Sequence, residues 1–376
     1  MNFDLTEDQR AFAESARAIF ADYCDDEQLR VFDLGGAGYM QPLWQQCIAG
    51  GLHAITVPES AGGLGLGMTE LMAVLEEQGR ALALVPLWEH QLGQTAMAAF
   101  APSDVSERLL PAALAGEALL TVSLAGLQDP ASVPRVHDEG GSLRIQGRIG
   151  AVTLGAQATH ALVVAERAGE QGLLLVALGQ AGVERTEGVA QHGLAVADLH
   201  FDGCAGAEAW LGERALRWLE PRAIACLAAL QLGVSARQIE RTVEYVSERR
   251  QFERPIGSFQ LVAGEMADCQ IALEAMRSPL WQLVYRLDAD LGALPQAWST
   301  RFLACQAGHR IGHMAQHVHG GMGVDVTFPI HRFLLWSRAL GLAMGGAEYN
   351  LARLGDWLAH NDTLGWKYDL AEDQTV

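Results

Sequence analysis

Residues 249–260 read Arg-Arg-Gln-Phe-Glu-Arg-Pro-Ile-Gly-Ser-Phe-Gln, and further along the chain comes Gln316-His317-Val318-His319-Gly320-Gly321-Met322-Gly323. Both stretches follow long helical patterns. A guanidinium such as Arg249 pairs with phosphate oxygens, a ring such as that of Phe252 packs on a flat heterocycle, and paired glycines let backbone N–H groups approach closely. Together they suit a flat cofactor that carries a diphosphate. A second cluster points to metal instead: His309, His313 and His317 recur at helical spacing, followed by His319 and His331. Imidazoles at i and i+4 can share a zinc ion. No acidic or cysteine ligand stands among them, and a helix facing a cofactor accounts for their polarity, so no metal is expected.

These residues need long helices to hold them, and the pattern supplies them. Up to about Gly116 the chain reads as mainly helical. Thr6 and Gln9 have capping-box spacing, and Phe12, Ala16, Ile19 and Phe20 give one buried face. The glycine-rich segment 57–67 lacks the Lys-Ser/Thr ending of a phosphate loop and reads as a flexible connection between helices. Short apolar or alternating runs at 119–124, 143–146, 161–165, 173–178 and 195–201 then predict strands of an antiparallel barrel or sandwich. Helices return at 213–247, 260–291, 295–318 and 329–360, the makings of an antiparallel four-helix bundle. The expected division is a helical domain over 1–117, a β-domain over 118–212 and a bundle over 213–376. Residues 371–376 read as a frayed polar tail.

Composition excludes several classes. The chain has 376 residues, 50% of them apolar and 19% charged, which predicts a packed globule of more than one sub-domain. A formal net charge of −19 argues against nonspecific nucleic-acid binding and requires any site for a polyanion to be locally basic. The six cysteines form no C-x-x-C pair, and the N-terminus lacks a basic-then-apolar leader. Reduced thiols, a cytoplasmic location and no membrane span are expected.

Over almost its whole length the chain resembles the acyl-CoA dehydrogenases, which are FAD enzymes. The resemblance is carried by 249–260 and the Gly320-Gly321 turn, by Phe3-Asp4-Leu5-Thr6-Glu7-Asp8-Gln9, by Val57-Pro58-Glu59 with its glycine-rich tail, and by Gly147-Arg148 and 152–158. The order of helices, β-domain and bundle is that of the family. By position, Thr153 resembles the threonine that hydrogen-bonds the flavin ring. Arg249 and Phe252 resemble the pair reaching the FAD diphosphate and adenine across a dimer interface, and Gln260, Gly320, Gly321 and Gly323 resemble further dinucleotide contacts. His317 stands where the family has a glutamine, with Gln316 displaced by one. The family's Thr-Glu-Pro…Gly-Ser-Asp signature is reduced to 121–126, where Ser123 is the candidate flavin or thioester contact. Its aromatic shield of the flavin is here Ala151.

The resemblance implies α,β-dehydrogenation of an acyl-CoA thioester, in which a carboxylate removes the α proton and a β hydride leaves for the flavin. Electron-transfer flavoprotein is the implied acceptor, and a homo- or hetero-tetramer with a homologous chain the implied assembly. Most relatives carry the base where this chain has Met344, which takes no proton. Glu348 lies one helical turn further on. A second group of relatives carries it on the first bundle helix, where Glu220 is the leading candidate, next to Pro221 and the kink or restart that a proline implies. The remaining alternative is a chain without a base that completes the FAD site of a partner, as in the heteromeric enzymes of bulky and steroid side-chain CoA esters. The run 319–325, Phe328-Pro329-Ile330-His331-Arg332 and Gly345-Gly346 resembles that subgroup.

Overall fold

The computed structural model describes residues 4–204 and 206–361. The expected tail at 371–376 lies outside them. Helices α1 (Glu7–Ala21), α2 (Asp26–Gly35), α3 (Gln41–Ala49), α4 (Met68–Ala81), α5 (Leu87–Phe100) and α6 (Ser103–Leu114) come first. Strands follow: β1 (Leu120–Ser123), β2 (Arg135–Glu139), β3 (Ser142–Thr153), β4 (His160–Arg167), β5 (Glu170–Ala177), β6 (Val183–Val189), β7 (Ala195–Cys204) and β8 (Ala207–Leu211). The C-terminal part holds α7 (Gly212–Glu248), the small hairpin β9 (Arg250–Gln251) and β10 (Arg254–Pro255), α8 (Gln260–Asp288), α9 (Leu294–His319), α10 (Ile330–Leu342) and α11 (Gly346–His360). Two compact units emerge. One combines the described residues of Met1–Leu29 with Met72–Ala83 and those of Ile224–Gln374; the other combines Arg30–Leu71 with Leu84–Ala223.

Helix α1 starts as its sequence dictates. The Gln9 amide donates to the Thr6 hydroxyl at 3.2 Å, and the Thr6 amide to the Gln9 side chain at 2.9 Å. Ala13, Ala16 and Phe20 are buried, with Phe12 and Ile19 half-buried beside them. The segment at 57–67 is more fixed than its glycines suggest. Gly63 donates to Pro58 and Gly65 to Val57, and a Cβ on Gly63 would meet the Val57 carbonyl oxygen at 2.2 Å. It is a turn folded onto its own backbone rather than a loose connection.

The strands form one sheet in the order β6-β7-β3-β2-β4-β5-β8, with β1 also paired to β4. Strands β4 and β5 are buried almost throughout, and β7 alternates, one face in the core around Ile149, Val152, Leu199 and Phe201. The antiparallel expectation needs correcting at β4, which accepts β1 and then β2 in parallel along the same edge, before the antiparallel β5. Strands β2, β6 and β8 escaped the sequence reading: β2 and β6 are nearly all exposed and polar and carry no apolar alternation, and β8 is five residues long and runs directly into α7.

In the C-terminal part the fourth predicted helix, 329–360, is two. The chain breaks at Ala343–Gly345, where Met344 has φ 51° and Gly345 φ 81°, both left-handed, and α11 begins after the turn. Helix α7 runs unbroken past Pro221. Every residue from Leu219 to Ala236 is buried, so neighbours close around it on all sides. Glycine makes this possible where α7 crosses α4. A Cβ on Gly233 would lie 1.9 Å from the Glu76 carbonyl oxygen, and one on Gly79 would lie 2.2 Å from that of Leu230.

Gly233→Ala is therefore expected to destabilise the protein by about 2 kcal/mol, the clash outweighing the gain in helix propensity. Urea unfolding would show a lower midpoint at an unchanged slope. An unchanged midpoint would mean that the two helices move apart freely.

Candidate functional site

The basic–aromatic motif closes into the β9–β10 hairpin at the end of α7. Arg249 sits at its base, its amide donating to Tyr245 at 2.8 Å while its carbonyl accepts from Ile256 at 2.8 Å. Phe252 and Glu253 occupy the turn with φ of 51° and 69°. Two successive non-glycine residues at positive φ are strained, and such strain persists where the surroundings or function require it. The strain presents the Phe252 ring to solvent at 88% exposure. Phe259 meets it edge-on at 6.2 Å, and the Arg254 guanidinium lies 4.0 Å above the Phe259 ring. Arg249 and Gln260 are exposed on the same short segment.

The glycine turn ends α9 in the same unit. Gly320 has φ 57° and ψ −132°, a conformation open to glycine, and a Cβ on Gly320 or Gly321 would meet nothing within 4 Å. Gly323 serves differently. Its Cβ would lie 2.7 Å from the Gln316 carbonyl oxygen, and its own carbonyl accepts from the Gln316 amide at 2.6 Å. His319 braces the turn. It is buried, stacks on Tyr245 with ring centroids 4.3 Å apart, and its Nδ1 faces the Ala315 carbonyl at 2.7 Å. Burial lowers its pKa, which keeps the ring neutral. His317 points outward and faces Glu265 at 3.5 Å. The rings of His309 and His313 lie 4.5 Å apart, yet among the described residues no group of three His, Cys, Asp or Glu side chains could hold a metal ion.

Exposed guanidinium, exposed ring and an uncrowded glycine backbone on neighbouring segments of one unit match the donor set a dinucleotide requires. The other two candidates lie in the second unit. Thr153 ends β3, and its carbonyl accepts from the Thr121 hydroxyl at 2.6 Å; Ser123, two residues beyond Thr121, is buried at the end of β1. The bulge between Ile149 and Val152 sets the direction of Thr153. Within it Ala151 has φ 51° and donates to the Asp198 carboxylate at 2.8 Å.

The three positions considered for the base differ sharply. Met344 lies in the break between α10 and α11. Buried Arg301 on α9 donates to the carbonyls of Leu340 and, at 2.6 Å, of Ala343, and Asn350 donates to that of Met344 at 3.0 Å. These bonds occupy carbonyls that the broken helix leaves without amide partners. Glu348 is exposed in the first turn of α11. Glu220 is only 4% exposed, in the continuous part of α7, and is not the solvated helix-start carboxylate that Pro221 suggested. The adjacent turn is held by Arg222 over the Trp218 ring at 4.3 Å and by Phe100 against Trp218 at 5.7 Å.

Helical N-terminal part, central sheet and helical C-terminal part together define the architecture of a flavoenzyme class that acts on thioesters. The acyl-CoA dehydrogenase N-terminal domain model matches residues 6–117 and the C-terminal domain model residues 222–359. Acyl-CoA dehydrogenase FadE27 of Mycobacterium tuberculosis is 34% identical over 371 residues, covering 96% of this chain and 99% of that protein. The solved ChsE4–ChsE5 complex of Mycobacterium tuberculosis is similar with a TM-score of 0.91 at 33% identity, covering 96% of this chain and 100% of the other. A variant of the steroid ACAD Tcur3481–Tcur3483 gives a TM-score of 0.89 at 35% identity, with 94% and 98% covered. The chain belongs to the acyl-CoA dehydrogenase family, whose members are oxidoreductases.

One group near no recognised motif escaped the sequence reading. Glu89 on α5 is 4% exposed, and burial holds its carboxyl up at about 8 against an ordinary 4.5. Next to it His90 is buried with Nε2 facing the Ala113 carbonyl at 3.2 Å, and burial depresses it to about 3. The run Trp88-Glu89-His90-Gln91 reads as polar surface, and only its place inside the second unit reveals otherwise.

Between pH 4.5 and about 8 the unfolded chain ionises Glu89 while the folded chain keeps its proton. The folded state then binds more protons, so this group's contribution to stability falls as pH rises, at ~1.4 kcal/mol per unit. Glu89→Gln is expected to melt higher than the parent at pH 8 and to lose that advantage at pH 5. Thermal melts across that range decide it; a pH-independent difference would show that the buried carboxyl is not held protonated.

Proposed function

We propose that this chain catalyses α,β-dehydrogenation of an acyl-CoA thioester with FAD, and that Glu220 is its base. The observation behind this reading is a carboxylate 4% exposed on the first helix of the C-terminal part, in a chain that has Met344 where other relatives keep a base. Of the two buried carboxyls in the second unit, Glu89 is held protonated at neutral pH and is ill suited to accept a proton. Bound FAD would supply the hydride acceptor. Glu220 would take the α proton, its burial keeping water from the developing enolate. Arg249, Phe252, Gln260, Gly320 and Gly321 would hold the dinucleotide, with Gly323 and His317 beside the turn, and Thr153 and Ser123 would face the flavin or thioester.

The exposure of Phe252, with Leu261, Val324 and Val326 also largely exposed, supports assembly through this surface, so that each hairpin serves a neighbouring copy or a homologous chain. A tetramer, homomeric or with a homologous partner, is the assembly proposed. Electron-transfer flavoprotein is the proposed acceptor, and fatty or steroid side-chain CoA esters are the substrate class. Six free cysteines and no described helix long and apolar enough to cross a membrane suit a cytoplasmic enzyme.

Anaerobic titration of the purified chain with acyl-CoA esters, from short straight chains to a steroid side-chain ester, tests the reading through the visible flavin band. Bleaching is expected with at least one ester. In Glu220→Gln it should slow by ~10³-fold, with flavin content and ester binding retained. Undiminished reduction would remove Glu220 from the mechanism. Bound flavin that only an added homologous chain renders reducible would assign this chain the completing, base-less role.

A further inference from the structure

A cleft of about 510 Å³ lies wholly within the first unit, walled by α1, α4, α7 and α10 with residues at the start of α2. Arg17, Arg80, Arg237, Arg241 and Arg332 bring five guanidinium groups to it from four helices, against the carboxylates of Asp25, Asp26 and Glu77. A lining of five positive and three negative charges stands out in a chain whose formal net charge is −19. Two further carboxylates pair with its rim: Glu240 accepts from Arg80 at 2.7 Å and faces Arg237 at 3.2 Å, and Glu244 faces Arg237 at 3.7 Å. The side chains of Glu240 and Glu244 are 43% and 65% exposed and that of Arg17 is 61% exposed, so solvent screens charges of both signs at the rim.

The pairs within the cleft leave donors over. Arg17 holds Glu77 through Nε at 2.9 Å and Nη2 at 2.8 Å, and Arg241 holds Asp26 through Nη1 at 2.8 Å and Nη2 at 2.6 Å. Such a pair uses two of the five N–H donors on a guanidinium, so each of these groups can serve a second acceptor. The carboxylates also fix the guanidinium planes in advance, which lowers the ordering cost of binding. Behind this charged lining Phe20, Leu29, Leu82 and Phe333 are almost wholly covered. Cys24 adds no reactivity, because burial and then Asp25 push its thiol up to about 12 and keep it protonated.

The network lines a cleft open to solvent, whose volume lies within the range of roughly 300–1,000 Å³ typical of small-molecule sites. None of its residues is among those assigned above to dinucleotide, thioester or proton transfer. We propose that the cleft binds a small organic oxyanion, a phosphate monoester or carboxylate whose charged head meets the arginines. The proposal is independent of the dehydrogenase reading, since its test uses binding alone.

Isothermal titration of the full chain with phenyl phosphate, phenylacetate and inorganic phosphate decides it. Saturable binding of one phenyl phosphate or phenylacetate per chain is expected, with inorganic phosphate as the head-group reference. The ester alone binding would assign a phosphate head, and the acid binding a carboxylate head. Arg237→Gln should weaken binding by about tenfold, and Ala81→Trp, which fills the cleft without removing charge, should abolish it. Arg310→Gln, at a surface pair with Asp268 outside the cleft, should leave it unchanged. The single-charge variants keep the test valid if Ala81→Trp fails to fold. Absence of saturable binding up to roughly 20 mM, or equal losses in Arg237→Gln and Arg310→Gln, would overturn the proposal.

Discussion

Close packing around α7 is the constraint on which the rest of the molecule depends. A helix with one buried face can rotate a little and let its neighbours adjust. One buried on every side, as α7 is from Leu219 to Ala236, has no such freedom. Its small residues, among them Ala225, Ala228, Ala229 and Gly233, are shaped to what touches them, and at Gly233 the contact is backbone on backbone. Within the first unit the register of α7 places Tyr245 under His319 and Arg249 at the foot of the hairpin, and a shift of one residue would move both together.

The polar groups fall into two physical kinds. Buried ones act by holding geometry: His319 between Tyr245 and the glycine turn, Asn350 and Arg301 on the carbonyls around Met344. Exposed ones, Arg249, Phe252 and Gln260, have little to hold them beyond the hairpin, whose strained turn directs the Phe252 ring outward. A lone chain gains nothing from displaying that ring to water. The arrangement makes sense for a surface that something else covers.

How much of this was legible depended on whether a residue announces its environment. Helices α7, α8 and α9 were readable from their apolar density and from the glycine and proline at their joints, and so was the capping box of α1. Most strands with buried or alternating faces were found, at least in part; β2 and β6 were not, since their residues face water and carry no pattern, nor was β8, whose alternation lasts five residues before α7 begins. Parallel pairing of β1 and β2 with β4 is a matter of chain routing that local sequence does not encode. At Pro221 the helix does not restart, since α7 continues through it. At 343–345 the reverse held: Met344 gave no warning of a break, and it takes Arg301, far along the chain, to satisfy the carbonyls there. Burial of Glu220 and Glu89 was equally hidden, since a carboxylate in a sequence looks the same in water and in a core.

Glu89 gives the fold a hidden thermochemistry. At neutral pH the native chain carries on this one side chain a proton that the unfolded chain surrenders. Unfolding releases that proton, while buried His90 and His192, depressed to about 3 and 4, take protons up, so the heat absorbed carries the buffer's ionisation enthalpy in proportion to the net exchange. Toward pH 8, where unfolded histidines no longer bind protons and Glu89 still holds part of its own, calorimetric enthalpies in phosphate and in an amine buffer diverge, although the molecule and its transition are the same.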